Sequence, residues 1–283
     1  MQITHLIKTA SQQLEHLSDS PRLDTEVLLA HSLKKNRTWL ISWSDKTLTQ
    51  SEINAFNWLL KRRVQGEPIA HIIGTREFWS LDLRVTKDTL IPRPETELMV
   101  EQILERYPQT TGINLLDLGT GSGAIALALA FERPDWNITA SDKSEAALKV
   151  ARENARRLEL EQIKFIAGNW FGALQSSPKK HSQFDIIACN PPYISNADPH
   201  LSQGDVRFEP LSALAAGNDG LDDIRLICQQ ANQYLKKSGM LIIEHGFDQK
   251  AQMRSIFNNY AYKSIEQIND LSQQTRLCIG LKP

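Results

Sequence analysis

Cysteine is scarce in this chain, and its three copies, Cys189, Cys228 and Cys278, are odd in number and far apart. No two stand at metal-ligand spacing and no disulfide framework can be drawn. That excludes a stapled miniature fold and leads us to expect a reducing compartment. Long apolar runs are missing as well. The longest, Ala124 to Phe131, falls far short of the roughly 20 residues that span a bilayer. The N-terminal stretch, Met1 to Leu17, mixes His5, Lys8, Gln12, Gln13 and Glu15 into its apolar pattern, and without an h-region it is not expected to act as a signal peptide. Charge of one sign is not in excess: 32 Lys and Arg face 33 Asp and Glu, a net charge of -1. Such a balance argues against a protein that grips nucleic acid through its phosphates. Small basic clusters (Lys34-Lys35 with Arg37, Lys61-Arg62-Arg63, Lys179-Lys180, Lys236-Lys237) read as solvated helix ends and loops. Repeats and low-complexity tracts are absent. What remains, 283 residues of which 41% are hydrophobic and 23% charged, is the composition of a soluble globular protein of one or two domains. The expectation is a cytoplasmic monomer with no membrane partner and no bound metal.

The first 70 or so residues carry helical signals. Ser20-Pro21 reads as an N-cap followed by proline in the first turn, with Leu23, Val27, Ala30 and His31 on one face. Thr49 with Glu52 fits a capping box, and Ile53, Phe56, Leu60 and Val64 follow as an apolar stripe. Gly66-Glu67-Pro68 stops that helix. The aromatics of this region, Trp39, Trp43, Phe56 and Trp58, are expected mostly in the core of a small bundle. Next, Trp79, Leu81, Leu83 and Val85 alternate with polar residues, which predicts a strand or hairpin. Ile91-Pro92-Arg93-Pro94-Glu95-Thr96-Glu97 then turns into a helix near Pro94.

From Gly112 onward strand and helix signals alternate. The expected strands are 113–117, 137–141, 163–167, 184–189, 240–244, about 265–268 and 275–280. The expected helices are 123–132, 144–158, 220–236 and 248–258. Alternation of this kind predicts a mostly parallel sheet covered on both faces.

Two clusters carry chemistry. The first is Asp117-Leu118-Gly119-Thr120-Gly121-Ser122-Gly123-Ala124, where an apolar strand runs into an apolar helix. Glycines there permit a sharp turn and close approach of a ligand. At the end of the next strand Asp142 is placed to bond two ribose hydroxyls. Gly119, Gly121 and Ala124 also satisfy the dinucleotide fingerprint, so a nicotinamide or flavin enzyme competes. Asp117 before the glycines, and Gly123 completing a G-x-G-x-G spacing, favour S-adenosylmethionine, whose ammonium and sulfonium suit a carboxylate better than a pyrophosphate does. Asn169-Trp170 follows the third strand at the same edge, where an amide and an indole could meet an adenine; an ordinary core tryptophan is the alternative.

The second cluster, Asn190-Pro191-Pro192-Tyr193, follows the apolar strand Phe184 to Cys189 at the edge where open α/β sheets bind ligands. It suits a substrate that is a planar NH2 group. The Asn190 side-chain carbonyl can accept one hydrogen bond from such a nitrogen. The Pro191 carbonyl, held in place by two prolines, can accept a second, and Tyr193 can lie flat against the group. A proline turn that merely ends a strand is the alternative.

Together, residues from about 66 to 283 resemble the HemK/PrmC family, the N5-glutamine methyltransferases of peptide chain release factors. The resemblance rests on Glu77-Phe78-Trp79-Ser80, Leu90-Ile91-Pro92-Arg93-Pro94-Glu95-Thr96-Glu97, Leu116 to Ala126, Asn190 to Ile194, Gly204-Asp205-Val206-Arg207-Phe208-Glu209-Pro210 and Glu244-His245-Gly246. It implies a Rossmann-like S-adenosylmethionine-dependent methyltransferase sheet of the α/β class, with a small N-terminal helical bundle and a linking β-hairpin. The implied domains are 1–72 for release factor docking, 73–94 for the hairpin linker and 95–283 for methyl transfer. It also implies S-adenosyl-L-methionine held by Asp117, Gly119, Thr120, Gly121, Ser122, Gly123, Asp142, Asn169, Trp170 and Asn190. The glutamine of a Gly-Gly-Gln loop would be held by Asn190, Pro191, Pro192 and Tyr193, so that the enzyme acts in translation termination. The family usually carries an acid before its late arginine, where this chain has Gln274-Thr275-Arg276. Such a site needs no His–Asp pair, so His200 and His245 read as structural, with His245 at the active edge as the alternative base. The rivals are a nucleic-acid amino-methyltransferase acting on a flipped base, a nicotinamide-dependent oxidoreductase and a non-catalytic binding module on a relic fold. Neutral charge, the lack of a hydride-transfer constellation and the intact site motifs argue against them in turn.

Overall fold

The computed structural model of the protein describes residues 1–109, 111–174 and 184–283. The Lys179-Lys180 cluster lies outside them. The chain divides into two units, Met1–Thr75 with Ser202–Phe208, and Arg76–Leu201 with Glu209–Pro283.

The first unit is a bundle of α1 (Ile3–Leu14), α2 (Pro21–Leu33), α3 (Arg37–Ser42), α4 (Gln50–Val64) and α5 (Ile69–Ile73). Helix α1 buries Ile3, Leu6, Ala10 and Leu14, spaced so that they fall on one face. The expected capping box opens α4, with Thr49 and Glu52 bonded reciprocally. Helix α2 starts at Pro21 as expected, but the Ser20 side chain makes no cap bond. Its inward face is also rotated from the expected one. Leu23 and His31 are exposed, while Asp24, Thr25, Leu28 and Leu29 are buried. A buried cation accounts for part of that rotation. On α4 it is Arg63, not Val64, that turns inward. Its guanidinium bonds Asp24 Oδ2 at 2.9 Å and Asp205 Oδ1 at 2.7 Å, the latter on the Ser202–Phe208 segment of the same unit. A buried charge must be paired, so α2 turns its carboxylate toward it. The aromatics depart from expectation too. Phe56 is fully buried, but Trp43 and Trp58 are 54% and 61% exposed. Other contacts replace a core: the Arg62 guanidinium lies 5.0 Å from the Trp58 ring, and Trp43 stacks on Trp39, over whose ring Lys46 lies at 5.0 Å.

The second unit opens with a two-stranded hairpin, β1 (Thr75–Phe78) and β2 (Leu81–Arg84). Trp79 and Ser80 turn it at φ 53° and 60°, the conformation that a two-residue hairpin loop demands. Leu81 and Leu83 face inward, as the alternation predicts. A 3₁₀ turn over Pro94–Thr96 leads into α6 (Glu97–Arg106). Then come β3 (Asn114–Leu118), α7 (Ala124–Glu132), β4 (Asn137–Asp142), α8 (Glu145–Arg157), β5 (Lys164–Ala167), β6 (Phe184–Cys189), α9 (Asp222–Tyr234), β7 (Leu235–Glu244), α10 (Lys250–Asn259), β8 (Lys263–Asn269) and β9 (Thr275–Leu281).

The strands form one sheet in the order β5-β4-β3-β6-β7-β9-β8. All neighbours are parallel except β9, which runs antiparallel to β7 and β8. Both faces are buried, and the period of two shows in how the core divides. Leu115, Ile138, Ile186 and Ile242 pack into one cluster, while Leu116, Leu118, Ile187 and Ile243 pack into the other. The apolar run from Ala124 is α7, buried from Ala124 through Ala130, which accounts for its lack of a polar side. No helix among the described residues is long and apolar enough to cross a membrane. Strand order reverses between β3 and β6, and in open α/β sheets the crevice at such a switch point receives the ligand.

Candidate active site

The loops after β3, β4, β5 and β6 meet at the carboxyl edge of the sheet and wall a cleft. Its lining includes Gly119, Gly121, Asp142, Asn169, Trp170, Asn190 and Pro192, together with parts of Lys87–Leu90 and Pro210–Ala213. Segments far apart in sequence therefore converge there.

The glycine loop is held open by its backbone. Gly119, Gly121 and Gly123 sit at φ 72°, 57° and 91°, a region costly for any residue with a Cβ. The three do different work. A Cβ on Gly119 would stand 3.3 Å from the Trp170 indole, and one on Gly123 only 2.8 Å from Leu127 Cδ1. A Cβ on Gly121 would meet nothing within 4 Å, because Gly121 faces the cleft. Asp142 braces this loop: Oδ2 accepts from Gly121 N–H at 2.9 Å and Oδ1 from Ser144 N–H at 2.8 Å. Its carboxylate thus shapes the cleft as well as lining it. Asn154 on α8, fully buried, ties the loop to the hairpin by donating to the carbonyls of Ser122 and Arg84 and accepting from Arg84 N–H.

Four of the sequence-predicted residues stand behind the cleft wall. Asp117 is buried and accepts from the Thr120 hydroxyl at 2.6 Å, while its other oxygen, Oδ1, has no hydrogen-bond partner. Burial pushes its carboxyl up to about 7 from an ordinary 3.8. Thr120 and Ser122 are buried as well, and Gly123 packs against α7 and α8. Trp170 joins the wall from a strained backbone at φ 47° and is pinned through its indole N–H to Asp223 Oδ1 at 2.9 Å. A carboxylate oxygen without a partner, a carboxylate at the wall, an indole face and a loop open at Gly121 form a set that suits a cofactor carrying a cation, a ribose and a flat base.

Asn190 begins where β6 ends and has a specific seat. Its Nδ2 donates to Thr96 Oγ1 at 3.1 Å, and Thr96 Oγ1 donates to Glu244 Oε2 at 2.7 Å. The Tyr193 hydroxyl reaches Glu244 Oε1 at 3.4 Å, and its main-chain carbonyl accepts from Gln249. Asn190 and Pro192 line the cleft, whereas Pro191 is buried and Tyr193 half-buried toward Glu244. Burial raises the Glu244 carboxyl to about 7. Glu209, also buried, accepts from Ile91 N–H at 2.8 Å and from Arg93 Nη2, and so holds the Ile-Pro-Arg-Pro segment beside the Pro210 stretch. Nothing in the local sequence assigns a role to Thr96, Glu209 or Glu244. They stood inside the matching segments, and membership of those segments was the only signal.

The histidines take structural positions. His245 is fully buried, its Nδ1 lies 2.8 Å from the Gly246 carbonyl, and burial lowers its pKa. His200 is exposed and pairs with Asp198. Arg276, which has a glutamine where the family usually has an acid, is served by Asp270 at 2.9 Å, and it also bonds Gln274 Oε1. No cluster of His, Cys, Asp and Glu that could hold a metal occurs among the described residues.

Comparison with known proteins gives a consistent picture. Residues 5–74 match the model of the PrmC N-terminal domain, and residues 109–278 match a methyltransferase domain model. A release factor glutamine methyltransferase of Shewanella oneidensis is 45% identical, covering 98% of this chain and 95% of the relative. One from Escherichia coli is 45% identical over 99% of both. Among solved structures, the hMettl16 catalytic domain in complex with an RNA hairpin aligns with a TM-score of 0.58 at 14% identity, covering 79% of this chain and 80% of that one. That last likeness concerns the fold alone.

Proposed function

The chain belongs to the family of release factor glutamine methyltransferases. From that premise we propose that it transfers a methyl group from S-adenosyl-L-methionine to the side-chain amide nitrogen, N5, of the glutamine in the Gly-Gly-Gln loop of a peptide chain release factor. The observation that carries the reading is the seat of Asn190. Asn190 lines the same cleft as Gly119, Gly121 and Asp142, and its NH2 is committed to the buried Thr96. A side-chain carbonyl is therefore left for a substrate nitrogen.

Gly119, Gly121, Asp142, Asn169 and Trp170 would hold the cofactor, with Asp117 and Thr120 supporting them from behind. Bound there, it would supply an electrophilic methyl on a sulfonium. A carboxamide nitrogen is a weak nucleophile because its lone pair is delocalised into the carbonyl. Asn190 Oδ1 and the Pro191 carbonyl would accept its two N–H groups, fix the amide plane and favour the positive charge that grows on nitrogen. Tyr193 would flank the plane. Positioning supplies much of the remaining rate. As the new N–C bond forms the C–S bond breaks, and the amide proton leaves late, to water or a carbonyl. No general base is required. The helical unit is assigned to seating the release factor, and the chain to acting as a cytoplasmic monomer.

The test is methyl transfer from labelled S-adenosylmethionine to an unmodified release factor, beside its Gly-Gly-Ala variant and duplex DNA. Label on the glutamine peptide of the native factor alone is the expected result. Asn190→Ala should lower kcat by roughly a hundredfold or more, the scale of losing an oriented polar group in a transition state. Label on the DNA, or none with cofactor bound, overturns the reading.

A further inference from the structure

We propose that Thr96 and Glu244 are positioning residues that fix which end of the Asn190 amide faces the substrate, a claim that rests on the function proposed above. Thr96 and Asn190 are 94 residues apart, and Thr96 and Glu244 are 148 apart. The sheet brings them together. Cys189 on β6 pairs in register with Ile243 on β7, so Asn190, the residue after β6, stands beside Glu244, the last residue of β7.

The logic is one of proton counting. A threonine hydroxyl has one proton to give and lone pairs to accept with. While Glu244 is ionised it can only accept, so the proton goes to its Oε2 at 2.7 Å, where Thr96 and Glu244 are 4% and 1% exposed. Only lone pairs then remain for Asn190. The amide atom that meets Thr96 must be the donor, Nδ2, as the 3.1 Å contact has it. The carbonyl oxygen is thereby turned away from Thr96 and left to accept. An Asn amide is nearly symmetric in shape and can flip when nothing distinguishes its two ends. Flipped, it would present an NH2 to the substrate's own NH2, donor against donor. The carboxylate and hydroxyl therefore encode an orientation that the asparagine alone does not possess.

Thr96 closes the 3₁₀ turn Pro94–Thr96 on helical backbone, φ -69° and ψ -20°, and its side chain makes no cap bond. The hydroxyl points to Glu244 instead. Tyr193 adds a bond to the second Glu244 oxygen, so the carboxylate is held from both sides.

The experiment compares Thr96→Val with Thr96→Ser in steady-state methylation of a purified release factor, with wild type and Asn190→Ala alongside and thermal unfolding of each recorded. Valine keeps the shape and loses the hydroxyl; serine keeps the hydroxyl and loses the methyl. Positioning predicts a kcat some 10- to 100-fold lower for the valine variant, with the release factor KM changed by less than about threefold. It predicts serine within about threefold of wild type. A packing role predicts the reverse order, so a valine variant with wild-type kcat, or a serine variant as slow as valine, overturns the proposal. Glu244→Gln supplies an independent arm. It keeps a carbonyl that can accept from Thr96 but adds a donor, so its loss should fall between serine and valine. Adding Thr96→Val to Glu244→Gln should cost less than the product of the two, because both act through Asn190. Multiplicative losses also overturn it. If wild type leaves the release factor unlabelled, the functional reading itself fails and this inference falls with it. Wild-type activity with an unaffected valine variant sinks the positioning role alone.

Discussion

Asp117→Asn should stabilise the cofactor-free protein, and more so the higher the pH. The substitution exchanges a buried carboxyl for a neutral amide of the same shape. In the native chain burial is the chief cause that lifts the Asp117 carboxyl from 3.8 to about 7; the Thr120 hydroxyl opposes the shift and the nearby charge of Asp142 adds to it. The folded protein therefore holds this proton more tightly than the unfolded chain does. Between the two values the native state carries more protons, and stability falls as pH rises. The loss begins near pH 4 and is complete a little above pH 7. A difference of about 3 units at 1.36 kcal/mol each gives about 4 kcal/mol in all, of which about 3 kcal/mol lies between pH 5 and pH 8. Asparagine has no such slope. Urea unfolding of both proteins at pH 5 and pH 8 should show the stability difference moving by about 3 kcal/mol in favour of the variant. Glu244, raised to about 7 by burial as well, contributes the same trend to both proteins and cancels in the difference. A wild-type-to-variant difference that stays constant within about 0.5 kcal/mol across this range would refute the assignment of a protonatable buried carboxyl. The variant should also bind S-adenosylmethionine more weakly, since a charged oxygen without a partner has been removed from behind the cofactor loop.

Three further expectations come from the same coordinates. Asp142→Ala removes acceptors from the Gly121 and Ser144 amides; with water able to replace part of this, a loss of roughly 2–3 kcal/mol should weaken S-adenosylmethionine binding about 30- to 150-fold by calorimetry, with little change in fold. Arg63→Met leaves Asp24 and Asp205 without the cation they bond at 2.9 and 2.7 Å; with Asp24 largely buried, urea unfolding should register about 2–4 kcal/mol, part of which Asp24→Asn in the same chain restores. Gly123→Ala and Gly121→Ala should separate stability from binding. The first places a methyl 2.8 Å from Leu127 Cδ1 at positive φ and costs about 2–4 kcal/mol. The second meets open space, costs about 1–2 kcal/mol in backbone strain, and should act mainly on S-adenosylmethionine binding, because Gly121 lines the cleft.

The catalytic unit was legible in the sequence because its central strands, such as β3 and β6, are buried on both faces. Runs such as Leu115-Leu116 and Ile186-Ile187 have no polar side to confuse them, and all seven expected strands appear with ends shifted by a residue or a few. The glycine loop and the Asn-Pro-Pro-Tyr segment were legible for a related reason: each is contiguous, so its chemistry shows without tertiary knowledge. The bundle was legible in kind and less so in detail. Its apolar pattern gave the helices, but hydrophobicity alone could not say that Arg63 would turn inward or that Trp43 and Trp58 would face out. Those outcomes depend on which charges find partners after the helices have packed.

What local sequence could not supply is the orientation of the Asn190 amide. A planar amide has two nearly isosteric ends, and nothing beside Asn190 in the chain distinguishes them. The distinction comes from a proton on Thr96, which closes the 3₁₀ turn before α6, and from a carboxylate at the end of a strand that is parallel neighbour to β6. Neither residue bears chemistry that would single it out alone: a threonine in the first turn of a helix is unremarked, and a glutamate ending an apolar strand reads as the point where the chain meets water. Glu244 is instead 1% exposed, and a buried carboxyl with two hydroxyls aimed at it needs a function to account for the desolvation it costs. The same reasoning applies to Asp142. Its position suggested ribose binding, yet its two backbone bonds show that it also holds the loop whose shape the cofactor would have to match. Asn190 takes its orientation from residues that the fold brings close, whereas Asp142 gives the glycine loop its shape. Residues with this second task are identified by asking which buried polar atoms have a partner that fixes direction, not by asking which residues could react.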